Sequence, residues 1–354
     1  MVRIAVQGCC HGELDKIFTA IKHIQKKENV SIDLLIICGD FQSIRNTADL
    51  ESLACPEKYR SLGTFHHYYN KLKKPPCPVV FIGGNHEASN YLWELYHGGW
   101  VASDIYFMGF AGVINFGGLR IAGLSGIYKQ LHYDCGHFES QPMVGDDMRS
   151  IYHVRKFNIF RLAQIKEPLD IFISHDWPRG IANHGNHEKL LSTKSFLAEE
   201  LRTNTLGSIP NEFLLKRLKP TYWFAAHMHV LFAAIYEHNK VEVSSKAVTK
   251  NPDEIEIESD EEIDENGTEN QKKKESVVKE EKATPMRKFT KFLALDKCVG
   301  DRSYLQIIDL PTDASEPYKF EYDREWLSIM KATNSLISFE RRQPPLPEEA
   351  ETQK

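Results

Sequence analysis

Side chains that bind metals are concentrated in five short segments of this 354-residue sequence. The segments read GCCHGE, CGDF, GGNHE, SHDWP and AHMH, and they contain Cys9, His11, Asp40, Asn85, His86, His175, His227 and His229. Thiolate, imidazole and carboxylate groups are common protein ligands of transition metals. A lone HxH is weak evidence for a metal site, but five such segments in one chain predict a site for two metal ions.

Each of these segments follows a run of β-branched and aromatic residues, which is typical of a buried strand. The runs are VRIAVQG, DLLIICG, PVVFIGG, LDIFIS and TYWFAA. Open α/β sheets bind ligands at the carboxyl ends of their strands, so we expect these side chains to converge in space. Within CCH and HMH, the spacing of two residues places both candidate ligands on one side of an extended chain.

The sequence between these segments completes an α/β pattern. ELDKIFTAIKHIQKKE follows the first strand and carries Ile17, Ile21 and Ile24 at helical spacing. VINFGGLRIAGLSG reads as a hairpin around Gly117 and Gly118. Parallel βα repeats in one half and a hairpin in the other predict a four-layer α/β fold, in which two packed mixed β-sheets are flanked by helices.

Composition predicts the domain organisation. A main domain is expected over residues 1–247, with a candidate recognition insertion at 126–160. Residues 248–283 contain 6 Lys and 13 acidic residues, which predicts a disordered acidic insertion. The insertion carries a net charge of −7, so the rest of the chain carries +2 and the whole chain −5. Residues 284–340 are expected to complete the sheet begun before the insertion and to add a terminal helix, and residues 341–354 to form a disordered tail.

Composition also excludes several protein classes. No apolar run approaches the roughly 20 residues that a bilayer span requires, so we expect a soluble protein. The sequence begins with a strand rather than with a secretory signal. Seven cysteines without a CxxC pair indicate a reducing, intracellular compartment.

The ordered set of segments resembles the calcineurin-like metallophosphoesterase family, whose pattern is DxH, GDxx(D), GNH(D/E), a His and then HxH. The resemblance covers roughly residues 1–236 and implies that residues 1–247 are a catalytic domain. It implies two metal positions bridged by Asp40, with His86 as the general acid that protonates the leaving oxygen. The first position would use Cys9, His11 and His229, and the second Asn85, His175 and His227. Two such cations would bind a phosphate and activate a water for attack.

Two residues depart from the family pattern. Cys9 replaces the first Asp, and its soft sulfur predicts Fe²⁺, Zn²⁺ or Mn²⁺ in preference to Mg²⁺. Because only the thiolate is a ligand, a neutral Cys9 would instead leave the first position weak. Ser43 replaces the carboxylate that orients the acid histidine in related phosphatases, so His86 either lacks such a partner or is held by another group such as Glu87.

A narrower resemblance is to the lariat debranching enzymes. It is carried by GCCHGELD, CGDFQSIRN, GGNHEASN, NFGGLRIAGLSGIYK, SHDWP, LKPTYWFAAHMHV and KFLALDKC. The resemblance implies hydrolysis of the 2′-5′ phosphodiester at the branch point of excised lariat introns, leaving a 2′-hydroxyl and a 5′-phosphate. It also implies a nuclear protein, with the cytoplasm as a further location.

The candidate recognition insertion mixes aromatic and cationic side chains, which is how unpaired RNA is bound. The residues expected to bind substrate are Tyr128, Lys129, His132, Arg149, His153, Arg155 and Trp177. Without the family resemblance, the insertion would read as a surface segment whose aromatics cover the core. For Trp177, stacking on a base and packing under a loop are equally supported.

Two alternatives remain open at the level of sequence. The same fold serves other phosphatases and phosphodiesterases, which need no RNA groove. A protein-binding module with an inactive site would have no physical need for all of the candidate ligands. We expect a monomer. The acidic insertion is expected to be an inert linker, and the alternatives are a segment that binds RNA-processing partners or a regulatory shield over a basic groove.

Overall fold

A computed structural model of the chain describes residues 1–238, 288–312 and 316–347. The predicted acidic insertion at 248–283 lies outside these ranges, as do residues 348–354 of the predicted tail. Among the described residues, no helix combines the length and the apolar character that crossing a membrane would need.

Thirteen strands and ten α-helices are found in the described residues. The strands are β1 (Val2–Gln7), β2 (Leu34–Ile37), β3 (Val79–Phe81), β4 (Gly99–Ala102), β5 (Ile105–Phe107), β6 (Ala111–Phe116), β7 (Leu119–Leu124), β8 (Ile171–Ser174), β9 (Tyr222–Ala225), β10 (Phe232–Glu237), β11 (Phe289–Ala294), β12 (Leu305–Leu310) and β13 (Phe320–Tyr322). The helices are α1 (Leu14–Glu28), α2 (Phe65–Tyr69), α3 (Ser89–Glu94), α4 (Gln130–Tyr133), α5 (Asp147–Ser150), α6 (Lys156–Ala163), α7 (His187–Thr193), α8 (Ala198–Arg202), α9 (Ile209–Leu218) and α10 (Arg324–Thr333).

The strands form two mixed sheets. The first has the order β12-β1-β2-β3-β5-β4, and β1, β2 and β3 run parallel within it. The second has the order β10-β11-β9-β8-β7-β6-β13, and β7, β8 and β9 run parallel. The hairpin predicted around Gly117 and Gly118 is formed by β6 and β7.

Alternating side chains divide the core into layers. Ile4, Ile36 and Val80 of the first sheet and Ile121 and Ile173 of the second belong to one buried cluster between the sheets. The opposite face of the first sheet packs against α1, and the opposite face of the second packs against α6, α9 and α10. The predicted four-layer α/β architecture is therefore confirmed.

The C-terminal segment contributes to both sheets, whereas the sequence predicted that it completes one. β11 lies between β9 and β10 in the second sheet, but β12 pairs with β1 at the edge of the first. Residues 341–347 are also ordered, contrary to the predicted tail: Gln343 is buried, and its backbone N–H donates to Asp134 O at 3.1 Å. Strand-like periodicity identifies a strand but not its partner.

Asp323 holds α10 against the second sheet. Its carboxylate accepts from the Trp326 backbone N–H at 2.8 Å and pairs with Arg120 of β7 at 2.7 Å. Both side chains are largely buried, at 7% and 12% exposure. Asp309 makes a similar two-contact pair with Arg3, but at 40% and 30% exposure.

We expect Asp323→Ala to lower the free energy of unfolding by about 2–4 kcal/mol, because it removes a helix cap and leaves Arg120 buried with fewer partners. The matched control is Asp309→Ala, which removes an exposed pair and should leave the stability nearly unchanged. Urea unfolding of both variants measures the difference. Equal losses would contradict the importance of burial here.

Candidate metal centre

The candidate ligands lie just beyond the carboxyl ends of parallel strands. Cys9 comes two residues after β1, Asp40 three residues after β2 and Asn85 four residues after β3. His175 directly follows β8, and His227 comes two residues after β9. Since the two sheets pack face to face, the carboxyl ends of both bring these loops to one edge of the sandwich.

The first group of side chains is formed by Cys9, His11, Asp40 and His229, whose ligand atoms all lie within 4.8 Å of one another. His11 Nε2 lies 3.2 Å from His229 Nε2 and 3.6 Å from Asp40 Oδ2. The Cys9 sulfur accepts from the backbone N–H of His227 at 3.3 Å. One thiol, one carboxylate and two imidazoles suit a borderline-soft divalent cation.

The second group faces the other oxygen of the same carboxylate. His175 Nε2 lies 3.4 Å from Asp40 Oδ1 and 3.1 Å from Asn85 Oδ1. The ring centroid of His227 is 4.9 Å from that of His175. His175 Nδ1 donates to the Cys38 carbonyl at 2.8 Å, which fixes the tautomer and directs Nε2 into the site.

Burial lowers the pKa of three of these imidazoles, those of His11, His175 and His229, and so favours their neutral form. Burial lowers the pKa of His175 to about 4 against the opposing effect of the Asp40 charge, and burial followed by the charge of His11 lowers the pKa of His229 to about 3. Burial alone would raise the pKa of Asp40, but the positive charges that the surrounding imidazoles, His175 first, carry once they are protonated in acid lower it well below its usual range. Neutral imidazoles around an ionised carboxylate are the protonation states that bind a cation. Burial and then the Asp40 charge raise the pKa of Cys9, so its thiolate needs an adjacent positive charge.

His86 borders both groups. Its backbone N–H donates to Asp40 Oδ1 at 2.9 Å, and its half-buried ring lies 5.7 Å from that of His11, centroid to centroid. Glu87 does not hold this ring, contrary to the suggestion from sequence. Its carboxylate accepts from the backbone N–H groups of Phe41, Gln42 and Gly84 at 2.7–2.9 Å.

Glu87 therefore fastens the Asp40 loop to the Asn85 loop. Burial and then the charge of Asp40 raise the pKa of Glu87 to about 8, and the three amide donors oppose that rise. Ser43 is fully buried, and its hydroxyl has no hydrogen-bond partner within the described part of the chain. No sequence pattern indicates the bracing role of Glu87, because its three donors are backbone N–H groups, which every residue except proline carries.

The ligand loops adopt strained backbone conformations. His11, Asp40, His227 and His229 have positive φ angles of 50°, 47°, 63° and 49°. Non-glycine residues are uncommon in this left-handed region, and they cluster at functional sites where the surrounding structure enforces them. The folded structure thus holds these side chains in place at a cost in local backbone energy.

Two glycines leave the space that Asp40 and His175 occupy. A Cβ at Gly84 would lie 2.3 Å from Asp40 Oδ1, and one at Gly39, where φ is +106°, would lie 2.3 Å from His175 Nδ1. Lys297, in the LDKC segment after β11, also acts on this site, because its charge helps to lower the pKa of His11 and His229 after burial has done so. Sequence reasoning assigned none of these three residues to the site.

The expected substrate-binding residues separate into a group that lines a surface groove and a fully buried pair, Arg155 and Trp177. Lys129 and Arg149 are exposed and Tyr128 and His132 are half-buried, and a groove of about 300 Å³ is lined by Lys129, His132, Arg149 and His153. His153 is only 8% exposed, and its Nδ1 lies 2.7 Å from His132 Nδ1.

Arg155 and Trp177 are corrections to the expected set. Arg155 is fully buried, pairs with Glu139 and donates to the Gly136 and His132 carbonyls. Trp177 is fully buried against Phe232 and donates to the Ala226 carbonyl at 2.9 Å. Neither side chain is accessible to a substrate, and both position loops instead.

Comparison with known proteins is consistent with this geometry. Residues 2–231 match the calcineurin-like phosphoesterases, and residues 287–354 match the lariat debranching enzyme C-terminal domain. Similar proteins include the lariat debranching enzymes of Homo sapiens, 46% identical over 98% of this chain and 56% of that protein, and Arabidopsis thaliana, 44% identical over 96% and 71%. The chain belongs to the lariat debranching enzyme family.

The chain spans a little over half the length of several of these relatives, including 57% of lariat debranching enzyme A of Xenopus laevis, to which it is 47% identical. Calcineurin-like phosphoesterases use a dinuclear metal site, and the donor set around Asp40 fits one. The two oxygens of Asp40 face different donor groups, because Oδ2 lies near His11 and Oδ1 near His175.

We expect Gly84→Ala to reduce metal affinity by at least tenfold, because the added methyl displaces the Asp40 carboxylate without removing any donor. Gly83→Ala is the matched control, since its Cβ would meet only ordinary contacts at 3.6–3.7 Å. Calorimetric titration of each metal-stripped variant with Zn²⁺ compares their metal affinities. Unchanged Zn²⁺ affinity in Gly84→Ala would show that the site does not depend on this clearance.

Proposed function

We propose that this chain hydrolyses the 2′-5′ phosphodiester at the branch point of excised lariat introns, giving linear RNA with a 5′-phosphate and a free 2′-hydroxyl. The observation that carries the proposal is the Asp40 carboxylate, whose Oδ2 faces His11 and whose Oδ1 faces His175, in a chain of the lariat debranching enzyme family. Branched RNA is therefore the proposed partner, and a monomer in the nucleus is the proposed working state.

The proposed ligands divide between two positions that share Asp40. Cys9, His11 and His229 serve the first, and Asn85, His175 and His227 serve the second. Two divalent cations, when bound, neutralise the phosphodiester charge and activate the attacking water. The buried sulfur of Cys9 favours Fe²⁺, Zn²⁺ or Mn²⁺ over Mg²⁺, because Mg²⁺ prefers oxygen donors.

His86 is the proposed general acid. Its side chain is half-buried and borders the site, while its backbone N–H donates to Asp40 Oδ1 at 2.9 Å. From this position its ring delivers a proton to the departing 2′-oxygen, which leaves as a hydroxyl. The oxygen of the attacking water forms the new bond to phosphorus as the bond to the 2′-oxygen breaks, so the phosphate remains on the 5′-oxygen of the other product.

The direct test is cleavage of a synthetic 2′-5′ branched RNA by metal-stripped protein to which Zn²⁺, Fe²⁺, Mn²⁺ or Mg²⁺ is added back. We expect debranching to return least with Mg²⁺, and His86→Ala to lower the single-turnover rate by about 10²–10⁴. A linear 3′-5′ RNA and a simple phosphate ester serve as comparison substrates. Faster cleavage of either comparison substrate would favour a different phosphoesterase activity.

Replacing Cys9 tests its proposed role in metal choice. We expect Cys9→Asp to raise the activity with Mg²⁺ relative to that with Zn²⁺ by tenfold or more, because the substitution restores a hard oxygen donor. Cys10→Ala is the matched control, since Cys10 packs in the core beside α1. Parallel activity and Zn²⁺ affinity measurements report the shift. Identical metal preferences in Cys9→Asp and the unaltered protein would exclude sulfur ligation.

A further inference from the structure

Two surface grooves meet at Arg149 in the recognition insertion. The first, here called the Arg60 groove, has a volume of about 370 Å³ and is lined by residues that include Cys55, Arg60 and Met148. The second, the Arg341 groove, has a volume of about 300 Å³ and is lined by residues that include Lys129 and Arg341. Asp146 and Arg149 belong to both linings.

Both grooves are built from segments that leave the metal centre. The insertion starts after β7, and Tyr128 N donates to Asp176 Oδ2 at 3.5 Å, next to the candidate ligand His175. The other wall of the Arg60 groove belongs to the chain between Asp40 and Gly63. Gly63 packs tightly against Gly12, beside His11, because its ideal Cβ position lies 3.1 Å from the Gly12 Cα.

The C-terminal segment completes the Arg341 groove. Gly136 N donates to Glu340 O at 3.1 Å, and His137 N donates to Ser338 O at 2.8 Å. The Arg341 guanidinium lies 4.6 Å from the centroid of the Phe138 ring. An arginine held over an aromatic ring forms a flat surface on which an unpaired base can stack.

The charges of the grooves suit phosphates. In the described ranges, no carboxylate lies within ion-pair distance of the groove cations Arg60, Lys129, Arg149 and Arg341. Arg60 donates a hydrogen bond from its Nε to the Cys55 carbonyl. Asp146 is the one acid in the Arg60 groove lining, and Asp147 adds a second in the Arg341 groove lining. Cations outnumber acids in both linings, so each presents a net positive charge.

We propose that two arms of a branched RNA leave the metal centre along separate grooves, one along the Arg60 groove and one along the Arg341 groove, with Arg149 at the division. The inference rests on the proposed function. A branch point carries three arms, whereas a linear strand carries two, so a divided surface distinguishes the two topologies by shape. The Arg341 groove stacks a base on the Arg341–Phe138 surface, and the Arg60 groove, whose lining has no aromatic residue, contacts the phosphate backbone.

The test measures binding of branched RNAs by the full chain under chelation, so that no cleavage occurs. The RNAs are one with all arms and others in which each arm in turn is trimmed to the branch nucleotide. We expect Arg60→Gln and Arg341→Gln each to weaken binding of the complete RNA about 5–10-fold. When one particular arm is trimmed, Arg60→Gln should no longer weaken binding while Arg341→Gln still does. When a different arm is trimmed, Arg341→Gln should no longer weaken binding while Arg60→Gln still does.

Three further measurements separate recognition from structural damage. Arg202→Gln, which removes an exposed arginine on α8, should leave binding unchanged. Arg60→Gln should make the fall of log affinity with log salt concentration shallower by about 0.7, the value for one lost phosphate contact on a single strand. Arg341→Lys keeps the charge but loses the planar surface. Compared with Arg341→Gln, it should therefore recover the salt dependence of the unaltered protein but only part of its affinity.

The same arm controlling both variants would overturn the proposal, as would losses that no trimming relieves. These outcomes are distinct from failure of the proposed function. A chain that debranches RNA without an arm-specific pattern keeps its activity and loses the two-groove assignment. A chain that binds branched and linear RNA equally and cleaves neither loses both.

Discussion

The structure depends on one buried carboxylate that is shared by two groups of donors. Asp40 is 1% exposed, and its oxygens face imidazoles supplied by both sheets. An isolated buried charge is costly, so it persists only where hydrogen bonds, polarised rings or cations compensate it. The His86 amide donates one hydrogen bond to Asp40, and Gly84 leaves room for the carboxylate. The neutral His175 turns its unprotonated Nε2 toward Asp40, so the charge that balances this carboxylate has to come from the cations that the donor set fits.

The same need explains the backbone strain nearby. Left-handed φ angles at His11, His227 and His229 turn their side chains toward Asp40 at a cost of about 1–3 kcal/mol each. The layered core tolerates this cost, because strands such as β1, β2 and β8 are buried on both faces and fix where each loop starts. Rigid strands followed by strained loops are the structural form of preorganisation, in which the donors are in place before a ligand arrives.

The sequence predicted the parts of this structure that follow from local pattern. Strand ends and donor types identified the candidate ligands, because a run such as DLLIICG followed by Asp40 needs no knowledge of its neighbours. Trp177 and Arg155 could not be placed in this way, since a stacking aromatic and a buried one have the same local sequence. The pairing of β12 with β1 and the three amide bonds to Glu87 depend on residues far apart in the chain. Such contacts are decided by tertiary packing, which periodicity does not encode.

The C-terminal segment contacts both the candidate metal centre and the recognition insertion. β11 pairs with β9, which precedes His227, and Cys298 just beyond β11 donates its backbone N–H to the Cys9 carbonyl at 3.2 Å. Further along, Ser338 and Glu340 accept backbone hydrogen bonds from the recognition insertion. One continuous segment therefore contacts both the first candidate ligand and the proposed RNA surface. Because both sets of contacts lie on one segment, a displacement of that segment would change the surroundings of Cys9 and of the recognition insertion together.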